Sequence, residues 1–263
     1  MTNSSDKSLS LLEKQTLIVE AVAGSASGLS FTEIRQALDL PKATAHRLLG
    51  MLCQVDLLQV TADQRKLYQS GPRLLRLLQL TLSSDDVVPT ARPVLEKLVE
   101  AFGETAFMTK LHGDMVETIT MVTPVKEWQG HVHPGRVMPP HAAASAKAIF
   151  AFQSEAMWRQ VLRPPLPRFT SKTLVAIEAI QREYARVRKS GIAICLEEID
   201  PGQIGIAAPV HLKELGVIYS VCIAGPVERV TKHKPDKIHG ALKRAANEFA
   251  EALTRRIENA RAP

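Results

Sequence analysis

Leu29–Leu52 reads LSFTEIRQALDLPKATAHRLLGML, and the orientation of its second half decides the fold of the N-terminal part. Ser30 with Glu33 three positions later forms a capping box, and Leu29 and Ile34 stand where a hydrophobic staple closes. A short helix is expected from Phe31 to about Leu38. Asp39-Leu40-Pro41 reads as a tight turn. Pro41 suits the first position of a new helix, where an N–H would lack a partner anyway. That helix is expected to run to about Val55. At about 100° per residue, Ala45, Leu48, Leu49 and Leu52 fall on one side, and Ala43, His46, Arg47, Gly50 and Gln54 on the other. Lys42 and Thr44 sit at its N-terminal end. The polar side carries cations and no acid. Two short helices joined this closely are a helix-turn-helix, whose second helix lies in the DNA major groove.

The residue types fit that task. Arg47 can donate a bidentate pair to a guanine. Thr44 can bond a base or a phosphate, and Lys42 with the helix start suits phosphate. Ala43 and His46 complete the outward set. Residues 57–69 read as two short strands around a polar turn, Asp63-Gln64-Arg65-Lys66. Arg65 and Lys66 stand where a wing would meet the neighbouring backbone, and Arg73 adds a further cation. A solvated amphipathic helix would show the same alternation. The succession of capping box, tight turn, acid-free face and basic hairpin favours double-stranded DNA as the partner.

Outward from this stretch, 263 residues suit one large domain or two modest ones. The net charge of +6 is not concentrated at one end. Residues 40–76 carry six cations (Lys42, Arg47, Arg65, Lys66, Arg73, Arg76) against Asp56 and Asp63, but the tail from Arg229 to Arg261 is basic too. No apolar run is long enough to span a bilayer, and the N-terminus lacks the apolar core of a signal peptide. Cys53, Cys195 and Cys222 are too few for a disulfide framework, so a reducing cytoplasm is expected.

Helical spacing over 11–23 predicts one more N-terminal helix. Pro72 opens a leucine-dense helix closed by Ser83–Asp86, which marks a change of domain. Beyond it the expected order is a helix over 89–102 and a hairpin around His112-Gly113-Asp114. A loop over 124–141 and helices over 142–152, 156–162 and 173–190 follow. Strands over 192–196, 204–210 and 215–224 and a helix over 237–257 complete it. That mixture is α+β, with a largely antiparallel sheet. His131, His133 and His141 include a His-x-His pair, but no acid or cysteine lies nearby to complete a metal site. His141 is the better candidate ligand contact, with His133 or Arg136 as a second charge toward an anion. Cys195 lies close to Glu197 and Glu198, which read as strand-end residues, and His211 is isolated. There is no phosphate-binding loop, dinucleotide fingerprint or HExxH. No enzyme activity, cofactor or metal is expected.

FTEIRQALDLPKATAHRLLGMLCQVDLLQ resembles the N-terminal domain of IclR-type transcriptional regulators. PPHAAASAKAIFA, LEEIDPGQIGIAAPV and VCIAGP resemble successive parts of that family's effector domain. The resemblance spans about residues 8 to 258. It implies a winged helix-turn-helix over 8–70, a linker and dimerisation helix over 71–86, and a GAF-like effector domain over 87–260. It also implies a homodimer, often paired into a dimer of dimers, that senses a small organic metabolite. The family's pocket positions fall on Met138, Ala144, Ser145, Cys195, Gly205, Cys222 and Ala224. Ala144 and Ser145 open an expected helix after His141, where free N–H groups suit a carboxylate. Met138, Cys195 and Cys222 offer soft apolar walls. The family's founding member has an acid at the Cys195 position and serines at those of Cys222 and Ala224. An apolar acid or a lactone therefore suits this pocket better than glyoxylate or pyruvate. The alternative reading is a small-molecule sensor or enzyme whose basic N-terminal domain binds protein.

Overall fold

The computed structural model describes residues 10–25, 27–61, 65–74, 77, 84–124, 133–213 and 215–261. The chain divides into two compact units between Thr81 and Leu82. The leucine-dense 71–86 stretch lies outside the described residues except at 71–74, 77 and 84–86.

In the first unit, α1 (Leu11–Ala23), α2 (Phe31–Ala37) and α3 (Lys42–Gln54) precede a hairpin, β1 (Leu58–Val60) and β2 (Tyr68–Ser70). Both bonds of the Ser30–Glu33 capping box are made: Glu33 N–H donates to Ser30 Oγ (3.3 Å) and Ser30 N–H to Glu33 Oε2 (2.7 Å). Ser10 and Glu13 repeat the device at α1. Pro41 is the N-cap of α3 rather than its first helical residue, and it supplies no side-chain cap. Ala45, Leu48, Leu49 and Leu52 are buried with Ile18, Val22, Ile34 and Leu58. Each such leucine stabilises the unit by roughly 1.5–3 kcal/mol. Leu29 does more than staple α2: it exchanges two backbone hydrogen bonds with Tyr68, adding a third extended segment to the hairpin.

The second unit is built on one antiparallel sheet, in the order β5-β4-β3-β8-β7-β6. Its strands are β3 (Thr105–His112), β4 (Met115–Val122), β5 (Val137–Met138), β6 (Ala193–Leu196), β7 (Gln203–Leu212) and β8 (Gly216–Pro226). α4 (Ser84–Phe102) and α9 (Pro235–Arg261) pack on one face. α5 (Ala144–Phe150) packs on the other, with α7 (Ile177–Ser190) against it. α6 (Glu155–Val161) and α8 (Val227–Val230) are short connectors. Helices on both faces explain why β7 and β8 are continuous apolar runs rather than alternating ones.

Three further expectations change. The 124–141 segment contains β5, whose Val137 and Met138 pair with Glu117 and Val116 of β4. α4 begins at Ser84, so Pro89 and Pro93 lie inside it, each removing a backbone donor. α7 starts at Ile177 rather than Thr173, because Thr173 serves a turn. Its hydroxyl accepts from the N–H groups of Phe169 and Thr170 and donates to the Glu198 carbonyl. The C-terminal end of α7 is as expected, with Gly191 in the left-handed region at φ 67°.

Candidate functional site

On α3 the burial splits by face. Lys42, Ala43, His46 and Arg47 are exposed and Thr44 is half-buried, while the four apolar positions are covered. Leu40 is buried in the turn and fixes where α3 starts. The His46 ring meets Phe31 edge-on, at 6.3 Å between centroids. None of Lys42, Arg47, Arg65 and Lys66 forms an ion pair with another described residue. Arg65 and Lys66 are exposed at the start of the arm leading into β2. Asp63 and Gln64 lie outside the described residues. Unpartnered cations around a helix N-terminus and an adjoining hairpin are the electrostatic footprint of a polyanion site.

The second site is a cavity between α5 and the sheet. Its volume is about 80 Å³, on a scale where one water needs roughly 10–15 Å³. Met138, Ala144, Ser145, Cys195, Gly205, Cys222 and Ala224 all line it, drawn from five different elements. Sequence reasoning missed Phe107, Ile204 and Ile206, which are indistinguishable from other strand residues in a linear reading. Ile199, Asp200 and Gln203 also line the cavity, and the Pro-Gly signal between them marked the turn that brings them there.

The walls are mainly apolar and uncharged. Burial pushes the Cys222 thiol up to about 12 and raises that of Cys195, so both stay protonated at neutral pH. Arg136 is the cation of the lining, and it is half-buried. The Ser145 hydroxyl is buried, with the Cys222 thiol as its polar neighbour. The Ser220 hydroxyl fixes Ser145 by donating to its carbonyl at 3.1 Å, and lies 2.7 Å from that of Thr109. A buried hydroxyl and one cation that share a mainly apolar lining with Asp200 suit a small and mostly apolar ligand with an anionic end.

His141 is not in the lining. It is buried against Phe169, with ring centroids 5.7 Å apart, and its Nε2 lies 2.8 Å from the Pro167 carbonyl. Sequence proximity to Ala144 put it in the candidate set, but the chain turns between them and aims the ring at the 163–173 segment. His133 is exposed and lies outside the lining, whereas Arg136 belongs to it. Among the described residues no group of histidines, cysteines and acids is placed to hold a metal, and His131 lies outside them. Glu198 is more than a strand-end residue. It is buried and takes the fully buried Lys147 ammonium at 2.6 Å, with Glu183 at 3.8 Å. Burial raises the Glu198 carboxyl despite that cation. Lys147 therefore anchors the turn after β6, which carries Ile199 and Asp200, to α5.

Residues 11–61 match the model of the IclR helix-turn-helix domain, and residues 79–251 that of the bacterial transcriptional regulator IclR C-terminal domain. The chain is 29% identical to the probable transcriptional regulator SauR of Cupriavidus necator, over 90% of this chain and 94% of that protein. It is 29% identical to the HTH-type transcriptional regulator BhcR of Paracoccus denitrificans, over 93% and 88%. Its fold is similar to that of an IclR homolog from Microbacterium hydrocarbonoxydans solved with 4-hydroxybenzoate. The TM-score there is 0.60 at 22% identity, covering 94% of this chain and 100% of that one. No helix among the described residues is long and apolar enough to cross a membrane.

Proposed function

This chain belongs to the IclR family of bacterial transcriptional regulators, and from that premise we propose that it reads a two-fold operator as a homodimer and releases or tightens its grip when a small apolar acid fills the C-terminal cavity. Membership makes it a DNA-binding regulator with a ligand-binding C-terminal domain and removes the enzyme alternative. The observation that carries the operator reading is the outward face of α3. Lys42, Ala43, Thr44, His46 and Arg47 face away from the core that holds the helix. Arg47 reads a base edge, Thr44 a base or phosphate, and Lys42, Arg65 and Lys66 bind phosphates. Two such helices, one per subunit, sit about one helical turn of DNA apart.

The effector reading is supported by the lining. Met138, Ala144, Cys195, Gly205, Cys222 and Ala224 form its apolar part, and Ser145 and Arg136 supply the polar contacts. The complex of the Microbacterium homolog with 4-hydroxybenzoate is consistent with an aromatic acid. The cytoplasm is the proposed location. Two measurements test the function. Titration of DNA from upstream of the protein's own gene, at several salt concentrations, yields steep salt dependence and competition by sequence. A thermal-shift screen of aromatic and short aliphatic acids yields stabilisation by an aromatic or longer aliphatic acid. DNA binding indifferent to salt and sequence would remove the operator reading.

A further inference from the structure

Gly225 follows Ala224, the last residue of β8 in the cavity wall. An ideal Cβ there would lie 2.3 Å from Glu104 Oε2 and 2.8 Å from Glu104 Cδ. The position is glycine because the Glu104 carboxylate fills that space. Glu104 is 3% exposed, and a single guanidinium takes both its oxygens. Arg229 Nε donates to Oε1 at 2.7 Å and Nη2 to Oε2 at 2.6 Å. Such a fork fixes orientation as well as distance.

Three structural routes meet at this pair. Ala224, next to Gly225, lines the cavity and pairs with Thr105, the residue after Glu104. Val227 N–H donates to the Gly202 carbonyl at 2.9 Å, tying the start of α8 to the turn that carries Ile199 and Asp200. On the other side Glu104 follows Gly103, which ends α4 at φ 64°, and Phe102 meets His233 edge-on at 5.2 Å. A displacement of β8 at Ala224 moves Gly225. With no slack above Gly225, the carboxylate must move with it.

We propose that the Glu104–Arg229 pair, seated over Gly225, is the positioning element that carries a change at the cavity wall to α4, the helix by which the chain enters the C-terminal unit. The proposal rests on the cavity being the ligand site.

The test is a mutant cycle read by hydrogen exchange on the full chain, with neither DNA nor ligand present. Ala224→Leu adds side-chain volume at the wall and stands in for an occupant. In the otherwise native chain it changes exchange of the 94–102 amides by about threefold or more; with Arg229→Gln or Gly225→Ala added, the change shrinks to less than about half of that. Arg229→Lys keeps the charge and loses the fork, and it behaves like Arg229→Gln. A merely structural pair would shift baseline protection while leaving the effect of Ala224→Leu intact, and that result overturns the proposal. So does an α4 that ignores Ala224→Leu. Failure of the ligand reading would show separately, as no stabilisation by any acid in the thermal-shift screen.

Discussion

Arg47 and Arg182 are both exposed arginines on helices, and only their surroundings separate them. Arg47 stands on an acid-free face beside Thr44 and Lys42, whereas Arg182 lies on α7 among acidic neighbours such as Glu183. Arg47→Ala is expected to weaken operator binding by about 1–3 kcal/mol, the worth of a bidentate base contact. Arg182→Ala is expected to leave it unchanged. Equal losses in a fluorescence titration would place the reading surface elsewhere. His141 makes a prediction of a different kind. Burial lowers its imidazole below the usual range, opposed by the bond to Pro167 and reinforced by Lys147. Its Nδ1 has no partner to receive a second proton. As pH falls through the ordinary histidine value of about 6.5, the unfolded chain takes up that proton first. The stability His141 supports is thus present above that value and lost below it. Melting curves at pH 7.5 and 5.5 should show a smaller drop for His141→Phe than for the native chain.

Between elements, the Lys147–Glu198 pair joins α5 to the turn after β6 in a setting that excludes water. Their side chains are 1% and 11% exposed. Removing one partner strands the other. Lys147→Met is expected to cost about 3–5 kcal/mol in urea unfolding, and Lys147→Met with Glu198→Leu much less. Equal losses in both variants would mean that packing, not charge, dominates there. In the first unit, Ser30→Ala removes the hydroxyl that accepts from the Glu33 N–H, leaves the Ser30 N–H bond to Glu33 Oε2 in place, and is expected to cost about 1 kcal/mol. That box could be read directly, because its two residues are three apart and its bonds are local. The same holds for the Gly191 terminus and the 105–122 hairpin. α7 was read four residues too long, because Thr173 is helix-compatible until its bonds to Phe169, Thr170 and Glu198 are known. β5 was missed because two residues carry no period, and only pairing with β4 makes them a strand.

For the whole protein, binding to DNA and binding to ligand are expected to leave distinct thermodynamic signatures. If Lys42, Arg65 and Lys66 of each of two subunits meet phosphates, log K against log salt should have a slope of about −5. A much shallower slope would mean that fewer of these cations touch the backbone. An acid that fills the cavity of the folded state alone, at a hundred times its Kd, is expected to add about 2.7 kcal/mol of stability. The effector can change DNA affinity only by as much as its own affinity differs between the DNA-competent and incompetent arrangements. This makes the Glu104–Arg229 junction a place to look for coupling without loss of binding.

The sequence by itself determined what depends on neighbours within a few positions. It located the helix-turn-helix, the face of α3 that looks outward, the antiparallel character of the second unit and the family resemblance. Seven of the eight candidate ligand residues also share one cavity, since small and soft residues at family-matched positions are legible in one dimension. His141 lies outside that cavity because a three-residue separation from Ala144 says nothing about direction once the chain turns. Phe107, the buried Lys147–Glu198 pair and the Glu104 carboxylate over Gly225 were decided only by the tertiary structure. Glu104 and Gly225 are 121 positions apart, and Lys147 and Glu198 are 51 apart. The physical reason is that desolvation and close approach act through space. A carboxylate has no fixed role in the sequence until folding removes water from around it and supplies the one cation that can replace that water.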